Sequence, residues 1–406
     1  MTGVLRHSAG ISLGAHGDEY RLETALQPIV GLIHQRVVGY EALVRGTSLR
    51  DARAVSPYEL FQRAAQVGEL VQLDTVCQQI HLSAFAPLST GRDWLFLNVR
   101  PESIVEPDFA RTLFERTTSH GLAARQIVIE LLETPLEQAD QPSQLERAIT
   151  ELRALGFVIA LDDFGAGHSN LDRVLDLKPD LIKLDRRLIV KATQDRAIRR
   201  VLPSMIAMLH EIGTLVVAEG IETAVEASIA LDAGADLAQG FFFGMPSPEM
   251  IRAERVLPRL EIMRAETTAE HARRNGLREA KLAPHREALK RGAEMFTQRA
   301  SESEIAVVLL ARPDAARCYN VDQDGMQYGH VYSRGVHVAR FLPLDEESGA
   351  NWESRSYFRE AMAAPGKIVA TFPYLSISGN YMCVTMAVAV ERDGRHYVLG
   401  IDIDAD

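Results

Sequence analysis

The chain has 406 residues, of which 47% are hydrophobic and 24% charged, and a formal net charge of −11. That length suggests two or three domains with ample core. The acidic balance argues against DNA or a membrane surface as partner, and no run approaches the ~20 apolar residues that a membrane helix needs.

Residues 1–18 are small and polar and predict a flexible tail. Leu22 to Val30 reads as a strand broken by Pro28, and Val37 to Val44 as a second strand with Glu41 in its middle and Arg45 at its end. A helical stretch runs from Pro57, capped by Ser56, to Phe85. Trp94 to Val99 is a short apolar run carrying Asn98, and helix-like sequence follows from Asp108 to Ser119. Ile127 to Glu133 is a strand with Glu130 inside it, and Gln144–Leu155 is a helix. Phe157 to Leu161 is a buried apolar run that stops at Asp162-Asp163 and a glycine turn. Two adjacent carboxylates repel unless a cation neutralises them, and such oxygen clusters suit Mg²⁺ or Mn²⁺.

The alternation continues with a strand at Asp180–Asp185 carrying Lys183 and an amphipathic helix near Asp195–Ile212. Next come Leu215 to Gly220 with Glu219, a helix at Ala224–Ala233, and Asp236 to Phe241 with Gln239. About eight strands alternating with helices imply an α/β fold, a closed TIM-like (β/α)8 barrel. Glu41, Asn98, Glu130, Asp162, Asp163, Lys183, Glu219 and Gln239 lie near the C-terminal ends of successive strands, where barrel active sites are built. A single buried acid is as readily a structural ion pair. So many strands each offering a polar group to one mouth point to a site.

Residues 257–299 are rich in Arg, Glu and Ala, interrupted at Pro258 and Pro284, and read as a linker of two or three solvated helices. From residue 300 to 406 the strand candidates are Ile305–Leu310, Thr371–Leu375, Tyr381–Val390 and Tyr397–Ile403. Turns are expected at Asp324-Gly325, Ser378-Gly379-Asn380 and Asp393-Gly394, with a helix at Ser356–Ala363. This region reads as a small α+β domain on an antiparallel sheet. Cys77, Cys318 and Cys383 lack metal-like spacing and read as buried thiols in a reducing cytoplasm.

Residues 19–256 read as the barrel domain, and from about residue 20 to 248 they closely resemble the EAL family of cyclic di-GMP phosphodiesterases. The matching segments, in family order, begin with Gln27-Pro28-Ile29-Val30, Glu41-Ala42-Leu43-Val44-Arg45 and Asn98. They continue with Glu130-Leu131-Leu132-Glu133-Thr134, Asp162-Asp163-Phe164-Gly165-Ala166-Gly167, Lys183-Leu184-Asp185, Ala218-Glu219-Gly220-Ile221-Glu222-Thr223 and Gln239-Gly240. The resemblance implies a barrel with one antiparallel strand, two Mg²⁺ or Mn²⁺ ions, and hydrolysis of cyclic di-GMP to linear pGpG by a cytoplasmic homodimer. It also implies roles. Glu41, Asn98, Glu130 and Asp162 would bind metal, with Asp163 serving the second ion. Lys183 and Glu219 would flank the attacking water, Arg45 and Gln239 would serve the substrate, and Glu133 and Glu222 would support the site.

The chain departs from the usual family pattern at Ala166-Gly167-His168-Ser169-Asn170, at Leu132 and at Val99-Arg100. That places rate and regulation, rather than the ligand set, in question. His168 reads as a surface or hydrogen-bonding residue rather than a metal ligand. The alternative to an enzyme is a catalytically silent cyclic di-GMP receptor, which would commonly lose metal ligands that this chain keeps.

Residues 300–406 resemble the PAS/Cache sensor group, through Trp352, Arg355-Ser356-Tyr357-Phe358, Pro373-Tyr374 and Gly400-Ile401-Asp402-Ile403. Asp402 interrupts an apolar run, where an unpaired carboxylate is costly. Two readings stay open. A zwitterionic small molecule could place its acid on Arg355 and its ammonium on Asp402, walled by Tyr357 and Tyr374. Alternatively, Arg355 and Asp402 pair with each other or face solvent, and the domain only dimerises.

Overall fold

A computed structural model describes residues 8–14, 18–131, 141–166, 171–251, 253–334, 350–376 and 381–405. The chain divides into two compact units, residues 1–270 and 271–406.

In the first unit β1 (Ser8–Leu13) pairs antiparallel with β2 (Asp18–Gly31), which turns into β3 (Arg36–Ser48) and the short β4 (Ala54–Val55). Residues 8–13 therefore belong to the sheet and not to a loose tail. Their alternation buries Ile11 and Leu13 in one cluster with Leu22 and Val44, a pattern masked by the small polar residues between them. Two helices follow, α1 (Pro57–Val67) and α2 (Leu70–Phe85), where the sequence suggested one. Ser56 caps the first by accepting the Glu59 N–H, and Gly68, at φ 76°, ends it in the left-handed conformation.

The repeat then proceeds through β5 (Trp94–Val99), α3 (Pro101–Ile104), α4 (Phe109–Ser119), β6 (Ile127–Leu131), α5 (Gln141–Ala154) and β7 (Val158–Phe164). It continues with α6 (Leu171–Leu177), β8 (Leu181–Leu184), α7 (Arg186–Gln194), α8 (Arg196–Glu211), β9 (Leu215–Ala218), α9 (Ala224–Ala233) and β10 (Leu237–Gln239). The order β2-β10-β9-β8-β7-β6-β5-β3 closes through the β2–β3 pairing into an eight-stranded barrel. All neighbours are parallel except at β2, which runs antiparallel to both β3 and β10. Pro28 does not break β2. It lies one residue beyond the last β10 pair, Gln239↔Ile29, so its missing N–H removes no bond on that side.

Strand periodicity places the site. Ile29, Phe96, Val128, Ala160, Leu181, Val217 and Leu237 form one buried apolar cluster inside the barrel. Gly39 leaves room for it, since a Cβ there would come within 3.2 Å of the Phe96 ring and 2.8 Å of the Trp94 carbonyl. Moving two residues along each strand keeps the same face. That step takes Phe96 to Asn98, Val128 to Glu130, Ala160 to Asp162, Leu181 to Lys183, Val217 to Glu219 and Leu237 to Gln239, all polar.

Residues 253–297 form one helix, α10 (Ala253–Thr297), across both Pro258 and Pro284, where two or three helices were expected. Each proline removes one donor without ending the helix. In the second unit, Glu302–Leu309 is a helix, α11, and not the expected strand at Ile305–Leu310. Ser301 and Glu304 form a reciprocal capping box, a local signal that decides for helix in an apolar run readable either way.

The sheet of this unit comprises β11 (Ala315–Asp322), β12 (Gln327–Ser333), β13 (Val369–Ala370), β14 (Tyr374–Leu375), β15 (Met382–Arg392) and β16 (Arg395–Asp404), all antiparallel. Asp393-Gly394, both at positive φ, closes the β15–β16 hairpin, and Gly325 sits in the β11–β12 turn. The Ser378-Gly379-Asn380 turn lies outside the described residues. Helix α12 (Ser356–Ala363) buries Tyr357, Phe358 and Ala361 on one face of the sheet, while Leu282, Leu289 and Phe296 of α10 cover the other with α11. The three cysteines are buried and unpaired.

Candidate active site

At the mouth of the barrel one ammonium faces four carboxylates. Lys183 Nζ lies 2.6 Å from Glu219 Oε1, 2.7 Å from Glu130 Oε1, 3.5 Å from Asp162 Oδ1 and 3.7 Å from Glu41 Oε2. Lys183 is 1% exposed and Glu130 fully buried, so water screens little of this charge. Burial opposes the charge on Lys183, but the four acids outweigh it and hold the ammonium well above its ordinary range. Burial lifts Glu130 well above the carboxylate range and Glu219 up to about 8, with Lys183 opposing in both cases. Glu41 moves the other way: burial opposes its charge, but Lys183 and hydrogen bonds from Gln239 and Asn98 keep it low.

Those two amides fix Glu41. Asn98 Nδ2 donates to its Oε1 at 2.7 Å, and Gln239 Nε2 to its Oε2 at 2.6 Å. With its nitrogen so engaged, Asn98 has its carbonyl oxygen left as an uncharged ligand atom. Gln239 Nε2 also reaches Gln27 Oε1 at 3.1 Å. Gln27 drew no assignment from the sequence because β2 runs backwards: the inward polar position falls two residues before Ile29 and not two after.

Asp162 and Asp163 would ordinarily point to opposite faces. A register shift between Leu161 and Phe164, with Asp163 at φ 60°, interrupts the alternation. As a result Asp162, Asp163 and Glu219 each offer an oxygen within 4.8 Å of the others. Burial and the neighbouring Asp162 raise the Asp163 pKa. Non-glycine residues at positive φ store strain that recurs at functional sites.

The donor set suits divalent cations. Four carboxylates against one ammonium leave buried negative charge in excess, and Glu130 Oε2 has no hydrogen-bond partner among the described residues. Hard oxygen ligands of this type fit Mg²⁺, Mn²⁺ or Ca²⁺.

The remaining expected residues are spread more widely. Arg45 donates to its neighbour's Val44 carbonyl at 2.9 Å, outside the ion cluster. Glu222 pairs with Arg186 at 2.6 Å. Glu133 and His168 lie outside the described residues. Two cavities share Glu41 as a wall. One, of about 490 Å³, reaches Phe61, Asp74, His81, Asn98 and Arg100; the other, of about 280 Å³, reaches Arg186, Glu219, Glu222 and Phe241. Asp74 and His81 were missed in the sequence because single polar residues on a helix such as α2 carry no periodic signal. His81 Nδ1 lies 2.8 Å from Thr24 Oγ1, and burial drives its pKa down to about 3.

The second unit corrects an expected pair. Asp402 is fully buried, but its partner is Arg317, whose Nη2 and Nε lie 3.0 and 3.1 Å from Oδ2. Thr385 donates to Oδ1 at 2.6 Å. Arg355 instead lies over Trp352 and Tyr374, 5.9 Å from each ring centroid. The sequence of Ala315–Asp322 carries no clear alternation, so it does not reveal that Arg317 lies across from Asp402.

Residues 15–246 match the EAL domain. The chain belongs to the EAL-domain family. The cyclic di-GMP phosphodiesterase RocR of Pseudomonas aeruginosa is 33% identical over 156 residues, 38% of this chain and 39% of RocR. Across four curated relatives the match spans 28% to 39% of the relative's own length. The crystal structure of Bacillus subtilis YkuI, with an EAL domain and in complex with c-di-GMP and calcium, superposes with a TM-score of 0.78 at 22% identity. It covers 94% of this chain and 96% of that one, a likeness of fold along both units. The manganese and c-di-GMP complex of Klebsiella pneumoniae BlrP1 is 29% identical with a TM-score of 0.50, covering 59% and 58% of the two chains. Among the described residues no helix of this EAL protein is long and apolar enough to cross a membrane.

Proposed function

We propose that the barrel hydrolyses one phosphodiester bond of cyclic di-GMP to give linear pGpG. The observation that carries this reading is the buried surplus of carboxylates around Lys183, in a family whose named members include cyclic di-GMP phosphodiesterases. Glu41, Asn98, Glu130 and Asp162 would hold one Mg²⁺ or Mn²⁺, and Asp163 would serve a second. When bound, these ions supply the positive charge that an inert, anionic phosphodiester requires for attack.

The chain's own groups do the rest. Glu219, held at 2.6 Å by Lys183 and within 4.8 Å of the Asp162 and Asp163 oxygens, takes the proton of the attacking water. Lys183 holds the Glu219 oxygen at 2.6 Å and keeps its own proton. Gln239 and Asn98 orient Glu41. Arg45 contacts the substrate, whose two halves occupy the cavities on either side of Glu41. Residues 300–406 serve as a PAS/Cache-like sensor or dimerisation domain that regulates the barrel in a cytoplasmic homodimer. Its ligand, if small, contacts Arg355, Tyr357 and Tyr374, while Asp402 is committed to Arg317.

Incubation of the full chain with cyclic di-GMP and Mn²⁺, with chromatography of the products, tests the reading. Accumulation of pGpG that stops on adding EDTA is expected. Tight binding of cyclic di-GMP without any pGpG would replace the enzyme by a silent receptor.

A further inference from the structure

The larger cavity contains a cation that the reaction does not use. Arg100 follows β5 at the N-cap of α3 and lines this cavity with Phe61 and Asn98. Its guanidinium carbon lies 5.8 Å from the Phe61 ring centroid, within the range of a cation–π contact. The backbone is pinned from below. Asp74, 1% exposed, accepts the Arg100 N–H at 3.3 Å while Gln78 Nε2 holds the same oxygen at 3.1 Å. Glu102 Oε2 forms an ion pair with the side chain, 3.5 Å from Arg100 Nε. That buried Nε has no hydrogen-bond acceptor among the described residues.

The guanidinium offers its N–H donors as a rigid planar fork. Such a fork matches a phosphate or the O6/N7 edge of guanine. The walls decide between them. Besides Arg100 and the polar Glu41, Gln62, Asp74, His81 and Asn98, the cavity is lined by Val44, Pro57, Tyr58, Phe61 and Ala65, apolar surfaces that suit a flat ring. The phosphates have their place at the carboxylate cluster and its cations. Adenine presents an N6 donor where guanine presents O6, so it would set donor against donor.

We propose that Arg100 is a base-reading specificity residue: it donates to the O6/N7 edge of one guanine in the larger cavity and excludes adenine there. This rests on the cyclic di-GMP reading of the site. The test compares wild type, Arg100→Ser and Arg100→Lys in binding cyclic di-GMP and cyclic di-AMP with Ca²⁺ present, by calorimetry. Hydrolysis of cyclic di-GMP in Mn²⁺ and thermal melting accompany it. Arg100→Ser should weaken cyclic di-GMP binding about 10- to 100-fold and leave cyclic di-AMP binding nearly unchanged, so that the preference collapses. KM should rise by a similar factor with kcat altered less than about threefold. Arg100→Lys keeps the charge but not the fork, and should behave like the serine variant. Equal losses for both nucleotides, full rescue by lysine, or no loss in a folded variant would each overturn the proposal while leaving the phosphodiesterase reading standing. Failure of the wild type to bind or cleave cyclic di-GMP would overturn both.

Discussion

Each of the two units buries charge, but they balance it differently. In the second unit the Asp402 carboxylate meets the Arg317 guanidinium, and Thr385 donates to the other oxygen. At the barrel mouth Lys183 faces four carboxylates, and an oxygen of Glu130 has no partner among the described residues. A balanced pair needs nothing further to be stable and serves as structure. An unbalanced cluster draws positive charge, as protons on its raised carboxylates Glu130 and Glu219 or as cations, and so suits a cationic ligand. The ratio of charges separates the two more sharply than burial does, since both Glu130 and Asp402 are fully buried.

The largest expected effect tests the unbalanced side. Glu219→Gln should lower kcat by about 10²- to 10⁴-fold with little change in substrate affinity, since it removes a base and keeps the shape. Unchanged turnover with lost affinity, in steady-state kinetics, would move Glu219 from chemistry to binding.

Next comes the balanced side. Arg317→Met leaves Asp402 buried without its cation and should cost about 3–5 kcal/mol in denaturant unfolding of the second unit. The double variant Arg317→Met, Asp402→Leu should recover most of that loss, because removing both charges removes the imbalance. Mn²⁺ should rescue neither. A double variant as unstable as the single one would mean that the pair holds more than itself.

The smallest effect concerns the rim. Arg45→Ala should raise KM about 10-fold or more and change kcat by less than about threefold, as expected for a lost charged hydrogen bond to substrate. A large fall in kcat at constant KM would place Arg45 in the chemistry instead.

The same contrast explains what could be read before the structure. Asn98, Glu130, Asp162, Lys183, Glu219 and Gln239 were legible because parallel strands repeat one phase: an inward apolar residue, then an inward polar one two places on. Gln27 was not, because β2 reverses that phase. Asp163 was legible as a carboxylate, but the bulge and positive φ that turn it toward Asp162 and Glu219 leave no mark in composition. In the second unit the strand holding Arg317 alternates less clearly, so the sequence leaves Arg355 as the evident cation for Asp402 and conceals Arg317. The helix at Glu302–Leu309 shows that a capping box at Ser301 outweighs an apolar run.

The central claim is that the charge surplus at the barrel mouth is a divalent-cation site and that the second unit's buried charge is not. Calorimetric titration of the metal-stripped full chain with Mn²⁺ tests it most directly, alongside Asp162→Ala and Asp402→Asn. The account predicts binding of about two ions per chain, lost or greatly weakened in Asp162→Ala and retained in any folded Asp402→Asn. Mn²⁺ binding that survives Asp162→Ala unchanged, or a wild-type chain that binds no Mn²⁺, would contradict it.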